Sequence, residues 1–368
     1  MRKSVMALAA LAAAGLFALR SPAWAEEAQA LAKASAAEKQ RLAELIAGAV
    51  KEGQIAYADT MISPVTHDAL AAAFKKHYGL PASFKVGHMY NGPSQVITRV
   101  QQELNANRVT FDVGAVASPG WIMAQYKAGH FMHYESPEYT HYRKSIDKQM
   151  GIKGFFVLNC AYTFAPGWNA ETLQFAGDSY QDVLKLVGKL PPGRTNTADS
   201  ELADSTLMVH IGMRKALGPD YFRELAKLKP SFYTKAEIGL NRLTSGEDLF
   251  SILSSTSRTM MFNQKGAKLR FMEPKEGFVM LPQFMFIFKD APHPNAAKLW
   301  FDFVLSEEGQ KIFVEHEFVN SGRSNFRSPV KEAPGLDEVR QVPMDWLSFT
   351  DDELKKARVE WVQIFKGK

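Results

Sequence analysis

Four hydroxyl side chains, Thr60, Ser63, Ser94 and Ser118, each stand after a short apolar run and before a segment of helical period. The chemistry this placement offers is capture of a solute. Backbone N–H groups at a helix start are unpaired and carry partial positive charge, so they attract anions, and neighbouring hydroxyls can donate or accept. The same residues are also ordinary helix N-caps, which need no ligand. Asp204-Ser205-Thr206 opens a further helix, Leu207–Leu217, ended by Gly218, so Ser205 and Thr206 repeat the pattern late in the chain. Other chemistries find little support. Cys160 lies in the apolar stretch that begins Phe155-Phe156-Val157-Leu158 and reads as a buried, inert thiol. His316-Glu317 lacks the second histidine of a zinc-protease helix, and no Gly-x-Ser-x-Gly elbow occurs. His130 and His133 stand three apart in the His- and Tyr-rich stretch Ala128–Arg143, but a closed metal site needs three or four ligands at set spacing. No metal and no cofactor is expected.

The elements that must position these groups alternate between strand and helix. Lys33–Lys51 has helical period and stops at Gly53; Gln54–Tyr57 reads as a strand; Ser63-Pro64 opens a helix that Gly79 closes. Phe84–His88 and Phe111–Val116 are the next strands, followed by helices at Gln95–Ala106 and after Ser118-Pro119. Three strand-to-helix crossings in succession predict a parallel sheet with helices on its faces. In such sheets ligands bind beyond the carboxyl ends of the strands, where the hydroxyl residues above lie. Phe155–Ala165 reads as a long extended segment, and Phe278–Phe288, interrupted by Pro282, is apolar enough to be buried on both faces. Asp351–Phe365 is a final amphipathic helix expected to dock on the second half.

Residues 1–25 have the plan of a secretory leader: Arg2 and Lys3, the apolar run Met6–Leu19, then Ala23-Trp24-Ala25 as a cleavage site. The run is too short to span a membrane, and no Cys follows it for lipid attachment. The leader accounts for three of the +5 formal charges, leaving +2. With no Lys/Arg block and no basic-aromatic array, nucleic acid is not an expected partner. The remaining 343 residues exceed the size at which one core stops growing, so two lobes are expected.

His293-Pro294-Asn295-Ala296-Ala297-Lys298, followed by Leu305-Ser306-Glu307-Glu308-Gly309-Gln310, resembles the late segment of periplasmic solute-binding proteins that serve ABC importers. The nearest branch includes ferric-iron, thiamine, phosphonate and sulfate-type receptors. Lys51-Glu52-Gly53 before the first strand, Phe111-Asp112-Val113, Tyr134-x-Ser136-Pro137, Trp168–Leu173 and Ser245-Gly246-Glu247-Asp248 fit the same resemblance. It implies an α/β, two-lobed, type II-like periplasmic-binding-protein fold, each lobe a mainly parallel sheet flanked by helices, with two hinge strands between them. The lobes would comprise 26–157 with 286–325, and 158–285 with 326–368. It also implies a periplasmic monomer that closes on a small solute and docks on an ABC permease. Asn159 and Tyr162, where the chain first crosses between lobes, become candidates for the cleft floor or for hinge hydrogen bonding. Phe284 and Met285 on the returning strand become candidates to cover an apolar part of the solute or to pack the core.

In the ferric-iron receptors of this branch a tandem tyrosine pair follows the strand that here reads as Leu249–Leu253. This chain has Ser257-Arg258-Thr259-Met260-Met261 there and no tyrosine after Tyr233. Phenolates suit a hard trivalent cation; thioethers do not, and arginine cannot ligate. Arg258 points instead to a carboxylate, phosphonate or sulfonate held by a bidentate fork, or else to a surface position at the strand end. A ferric-iron or iron-chelate receptor and a sensor partner of a membrane chemoreceptor are the alternatives, and a secreted enzyme is the weakest. Protein from its native host is expected to begin at Glu26; amino-terminal sequencing that finds Met1 on membrane-bound material overturns the leader.

Overall fold

A computed structural model describes residues 28–32, 34–90, 93–142, 150–202 and 204–367, so the leader lies outside the described residues. Eleven strands form one sheet: β1 (Gln54–Asp59), β2 (Lys85–Tyr90), β3 (Val113–Val116), β4 (Gly151–Ile152), β5 (Phe156–Asn169), β6 (Thr195–Ala198), β7 (Ser231–Tyr233), β8 (Phe250–Ser255), β9 (Leu269–Phe271), β10 (Val279–Ile287) and β11 (Asn320–Ser321). The main order is β2-β1-β3-β10-β5-β8-β6-β7, with β4, β9 and β11 also paired to β5. At one end β2, β1 and β3 run parallel; at the other β8, β6 and β7 do. Between them stand the two long strands β10 and β5, antiparallel to each other and to the strands they adjoin. The parallel trio β2, β1 and β3 is what the alternation of elements predicts; the second trio and the two crossing strands are what the resemblance implies.

Three local expectations are corrected. β5 extends to Asn169, past the expected end at Ala165, so Trp168 and Asn169 belong to the strand and the turn begins after them. β10 runs through Pro282 without a break. Pro282 lies opposite Ala161, and the register shift falls one step later, between Gln283 and Phe284, where a bulge absorbs the irregularity. Arg258 is not at a strand end. β8 stops at Ser255, whose hydroxyl caps the helix Thr256–Gln264 through the Arg258 N–H, placing Arg258 in the first turn of that helix.

The helix Pro294–Leu305 carries the core of the first trio. Ala296, Leu299, Trp300 and Phe303, spaced to share one helix face, are fully buried. Trp300 meets Tyr57 and Phe74 edge-on, with ring centroids 5.4 and 5.1 Å away. Three carboxylates fix the helix in place. Glu52 accepts from the Asn295 N–H (3.1 Å), the Asn295 amide (2.6 Å) and the Ala296 N–H (2.8 Å), so it caps the helix start from outside. Asp112 accepts from the His293 N–H and the Ala56 N–H, both at 2.7 Å. Asp302 accepts from Tyr134 (2.7 Å), Ser136 (2.6 Å) and Arg41 (3.0 Å). A Cβ on Gly48 would come within 2.4 Å of the Asn295 side chain, so only glycine lets the two helices approach this closely. Ser306 ends this helix and caps the next, Glu307–Glu317, by accepting from the Gly309 N–H, as its sequence position predicts.

The last helix, Asp351–Lys366, starts with a capping box between Thr350 and Glu353 and packs on the helices Asp204–Leu217 and Pro219–Ala226. Lys366 at its end pairs with Asp199 (2.9 Å) and Glu201 (2.6 Å). Among the described residues no helix is long and apolar enough to cross a membrane.

Two kinds of buried titratable group set opposite pH trends. His210, 3 % exposed with its ring 4.3 Å from that of Phe222, is held down to about 3 by burial and then by Arg214. The unfolded chain takes this proton near 6.5 while the folded chain does not, so the stability His210 contributes is lost as pH falls from 6.5 toward 3. Burial raises Asp302 to about 6 against 3.8, so there the folded chain protonates first and gains as pH falls through 6. His210→Leu is therefore expected to lose less stability than the wild type between pH 6.5 and 4.5. Urea midpoints at each pH measure it; parallel curves for the two proteins would contradict the assignment.

Candidate functional site

The loop after β1 is built by Asp59, the last residue of the strand and fully buried. Its carboxylate accepts from the Tyr57 hydroxyl (2.6 Å), the Met61 N–H (2.6 Å), the Ile62 N–H (2.9 Å) and the Gln283 amide (3.1 Å). Burial raises Asp59 to about 6, and these four donors act against that rise. Gln283 in turn accepts from the Cys160 thiol at 3.3 Å. Burial pushes that thiol well above its ordinary range, which is the inert behaviour its apolar setting predicts.

The following turn is held by Glu317, at the end of the helix Glu307–Glu317 and itself fully buried. One oxygen accepts from the Ser63 N–H (2.7 Å) and the Thr66 hydroxyl (2.5 Å). The other accepts from Arg258 Nη1 at 2.9 Å. Arg258 Nη2 donates to the Met61 carbonyl at 3.1 Å, and its Nε lies 4.0 Å from Glu237. Arg258 thus reaches from beyond β8 to groups that belong with β1, across the two long strands. Its side chain is 20 % exposed against none for Glu317.

Beside this pair lies the middle of β5. Tyr162 is buried, with its hydroxyl in the combined field of Glu317, Arg258 and Asp59, and burial raises it well above the usual phenol range. The Tyr162 hydroxyl and Asn159 Nδ2 have no hydrogen-bond partner among the described residues, although both atoms are buried. Asn159 Oδ1 accepts from the Cys160 N–H at 2.9 Å. One residue on from Tyr162, Thr163 meets Thr256 hydroxyl to hydroxyl at 2.6 Å. The Tyr162 hydroxyl and Asn159 Nδ2 are both donors able to serve acceptor oxygens, and Tyr162 lies in the field of the part-buried Arg258 guanidinium.

The expected site residues therefore separate. Ser63, Arg258 and Tyr162 are gathered about Glu317, while Asn159 stands three residues before Tyr162 on β5. Ser63 presents its N–H to Glu317, while its hydroxyl performs the ordinary cap by accepting from the Thr66 N–H at 3.3 Å. Thr60 ties β1 to β3 through the Ala115 carbonyl at 3.4 Å. Ser118 precedes the helix Pro119–Lys127 without capping it, so its hydroxyl is not spent on the backbone there. Ser205 and Thr206, half-buried, sit inside the helix Asp204–Leu217 rather than before it. The Ser94 side chain lies outside the described residues. Phe284 and Met285 are fully buried in the sheet, Phe284 edge-on to Phe156 at 5.6 Å; of the two roles left open for them, packing is the one the structure displays. Asp59, Thr66, Gln283 and Glu317 were missed. One signal was available: Glu317 is an acid in the last turn of its helix, where the macrodipole disfavours negative charge, so something else must hold it.

This architecture is a known one. The chain superposes on solved periplasmic binding proteins over most of their length. The substrate-binding protein of an ABC transporter from Agrobacterium tumefaciens superposes with a TM-score of 0.72 at 12% identity, covering 85% of this chain and 94% of that one. The fold is that of the two-lobed periplasmic binding proteins. AfuA from Actinobacillus pleuropneumoniae, solved with fructose-6-phosphate, gives 0.68 at 18% identity over 85% and 98% of the two chains. Iron-bound HitA from Pseudomonas aeruginosa gives 0.66 at 17% over 84% and 99%. Residues 203–355 match the family of bacterial extracellular solute-binding proteins. A Haemophilus influenzae protein described only as uncharacterized is 26% identical over 320 residues, 80% of this chain and 86% of its own. The resemblance read from the His293–Gln310 segment holds.

On this solute-binding fold the segment after β8 presents Arg258 and no phenol. Titration with ferric citrate is expected to give no visible phenolate charge-transfer band; a saturable band would restore the iron reading.

Proposed function

We propose that this chain is a periplasmic receptor that closes on a small organic anion of carboxylate, phosphonate or sulfonate type and delivers it to an ABC importer. The observation that carries this reading is the part-buried guanidinium of Arg258, facing a carboxylate across the two crossing strands. A guanidinium largely withdrawn from water favours an anion with well-placed oxygens. The Ser63 N–H at the start of the helix Pro64–Tyr78 points to the same place, and a helix start is a ready anion seat. Tyr162 brings an unpartnered hydroxyl beside it, and Asn159 on the same strand carries a second unpartnered donor. Ser118, Ser205 and Thr206 remain candidates for contacts further along the solute.

The lobes we propose are 26–157 with 286–325, and 158–285 with 326–368, closing about β5 and β10. Function then lies in equilibrium, with no bond made or broken: a solute touching both lobes shifts the population toward the closed form. The receptor acts as an exported monomer, and its partner is the permease. The family matched and the fold are those of binding proteins, which supports this reading over a hydrolase or deaminase.

Arg258 is the residue on which the reading stands. With the solute identified by mass spectrometry of denatured native material, Arg258→Ala is expected to weaken binding by about 2–5 kcal/mol. Arg258→Lys should recover only part, since an ammonium cannot reproduce the planar fork. Thermal stability without solute should change much less, because opening of the lobes lets water reach Glu317. Calorimetry on both variants decides; unchanged affinity in Arg258→Ala overturns the role.

A further inference from the structure

Glu317 does with its own carboxylate what the solute is proposed to do. It accepts from a helix-start N–H (Ser63), from a hydroxyl (Thr66) and from the guanidinium of Arg258. Two of these donors belong with β1 and one comes from beyond β8, so a single carboxylate spans the junction. Arg258 adds a second contact across it, to the Met61 carbonyl. The helix that carries Glu317 does not favour the charge there, since its last turn is the negative end of the macrodipole. The carboxylate is held by its three donors.

We propose that Glu317 is a tethered competitor for the anion seat at Arg258: the solute-free receptor closes on its own carboxylate, and an incoming anion must displace it. The inference rests on the reading of Arg258 as the anion anchor. It also deepens that reading, because displacement selects among anions. A monocarboxylate offers Arg258 no more than Glu317 already does, and it lacks the advantage of being tethered. A phosphonate, a sulfonate or a dicarboxylate brings further oxygens, for which the Tyr162 hydroxyl is the waiting donor. Specificity then comes from the threshold Glu317 sets as much as from the contacts the solute gains.

Glu317→Gln isolates the effect. The amide oxygen can still accept from the Ser63 N–H and the Thr66 hydroxyl, but its NH₂ confronts Arg258 with a second donor. Small-angle scattering on the mature chain without solute is expected to give a larger radius of gyration for Glu317→Gln than for the wild type, and the same increase for Arg258→Ala. Circular dichroism melts check that both variants remain folded, and Arg258→Ala decides alone if Glu317→Gln does not. A wild-type radius in a folded variant overturns the self-closure. Calorimetric titration with succinate and with inorganic phosphate reads the competition, with Glu317→Gln binding about tenfold or more tightly than the wild type. Equal or weaker binding by Glu317→Gln overturns the competition. If neither protein binds either probe while both variants expand, the anion reading fails and the self-closure stands.

Discussion

The first half of this molecule depends on a helix that the chain supplies only after it has built the second half. β1, β2 and β3 form before the chain crosses over along β5, and the helix that covers them returns at Pro294. Nothing local ties the two together. The tie is made by carboxylates: Glu52 at the helix start, Asp112 at the residue before it, and Asp302 in its middle, each saturated by donors from distant parts of the sequence. Asp112 and Asp302 are buried, and buried carboxylates are costly unless fully hydrogen-bonded, so they tolerate one arrangement and penalise others. Trp300 then closes the core against Tyr57 and Phe74.

That docking places the next helix, Glu307–Glu317, against the helix Pro64–Tyr78, and so delivers Glu317 to the Ser63 N–H. The turn receiving it is already shaped by Asp59, which takes up the Met61 and Ile62 N–H groups. Structural anchoring and the candidate site are therefore continuous. The N–H groups of the loop after β1 that a solute anion would seek are bonded to carboxylates of the chain itself, and Arg258 is the group that reaches across to them. The fold is shared with proteins solved with iron and with a sugar phosphate, so the fold alone does not choose a ligand.

The motifs behind the family resemblance turn out to be structural. Glu52 of Lys51-Glu52-Gly53, Asp112 of Phe111-Asp112-Val113, and Tyr134 with Ser136 all bond to His293, Asn295, Ala296 or Asp302 in the His293–Gln310 segment. Asp248 of Ser245-Gly246-Glu247-Asp248 is likewise buried, accepting from Asn196 at 2.8 Å and Arg242 at 2.6 Å. Residues that locate the fold in sequence are thus the ones that hold its parts together, and they carry no information about the solute. The site reading had to come from a difference, the arginine standing where the resemblance leads one to expect tyrosine.

Periodicity and caps were enough to read the alternation of strands and helices, because those patterns are local: apolar spacing, a serine before a helix, a glycine after it. The burial of Phe278–Phe288 was equally legible from its composition. Ser63 could be named from its place before a helix, whereas Asn159, Tyr162 and Arg258 were named through the family resemblance. Which of them meet is a different kind of fact. Glu317 lies 59 residues from Arg258 and 254 from Ser63, and no spacing in the sequence links the three. Only the return of the chain through β10 and the docking of Pro294–Leu305 brings that carboxylate into the turn, and burial then leaves it no solvent to pair with except the donors it finds there.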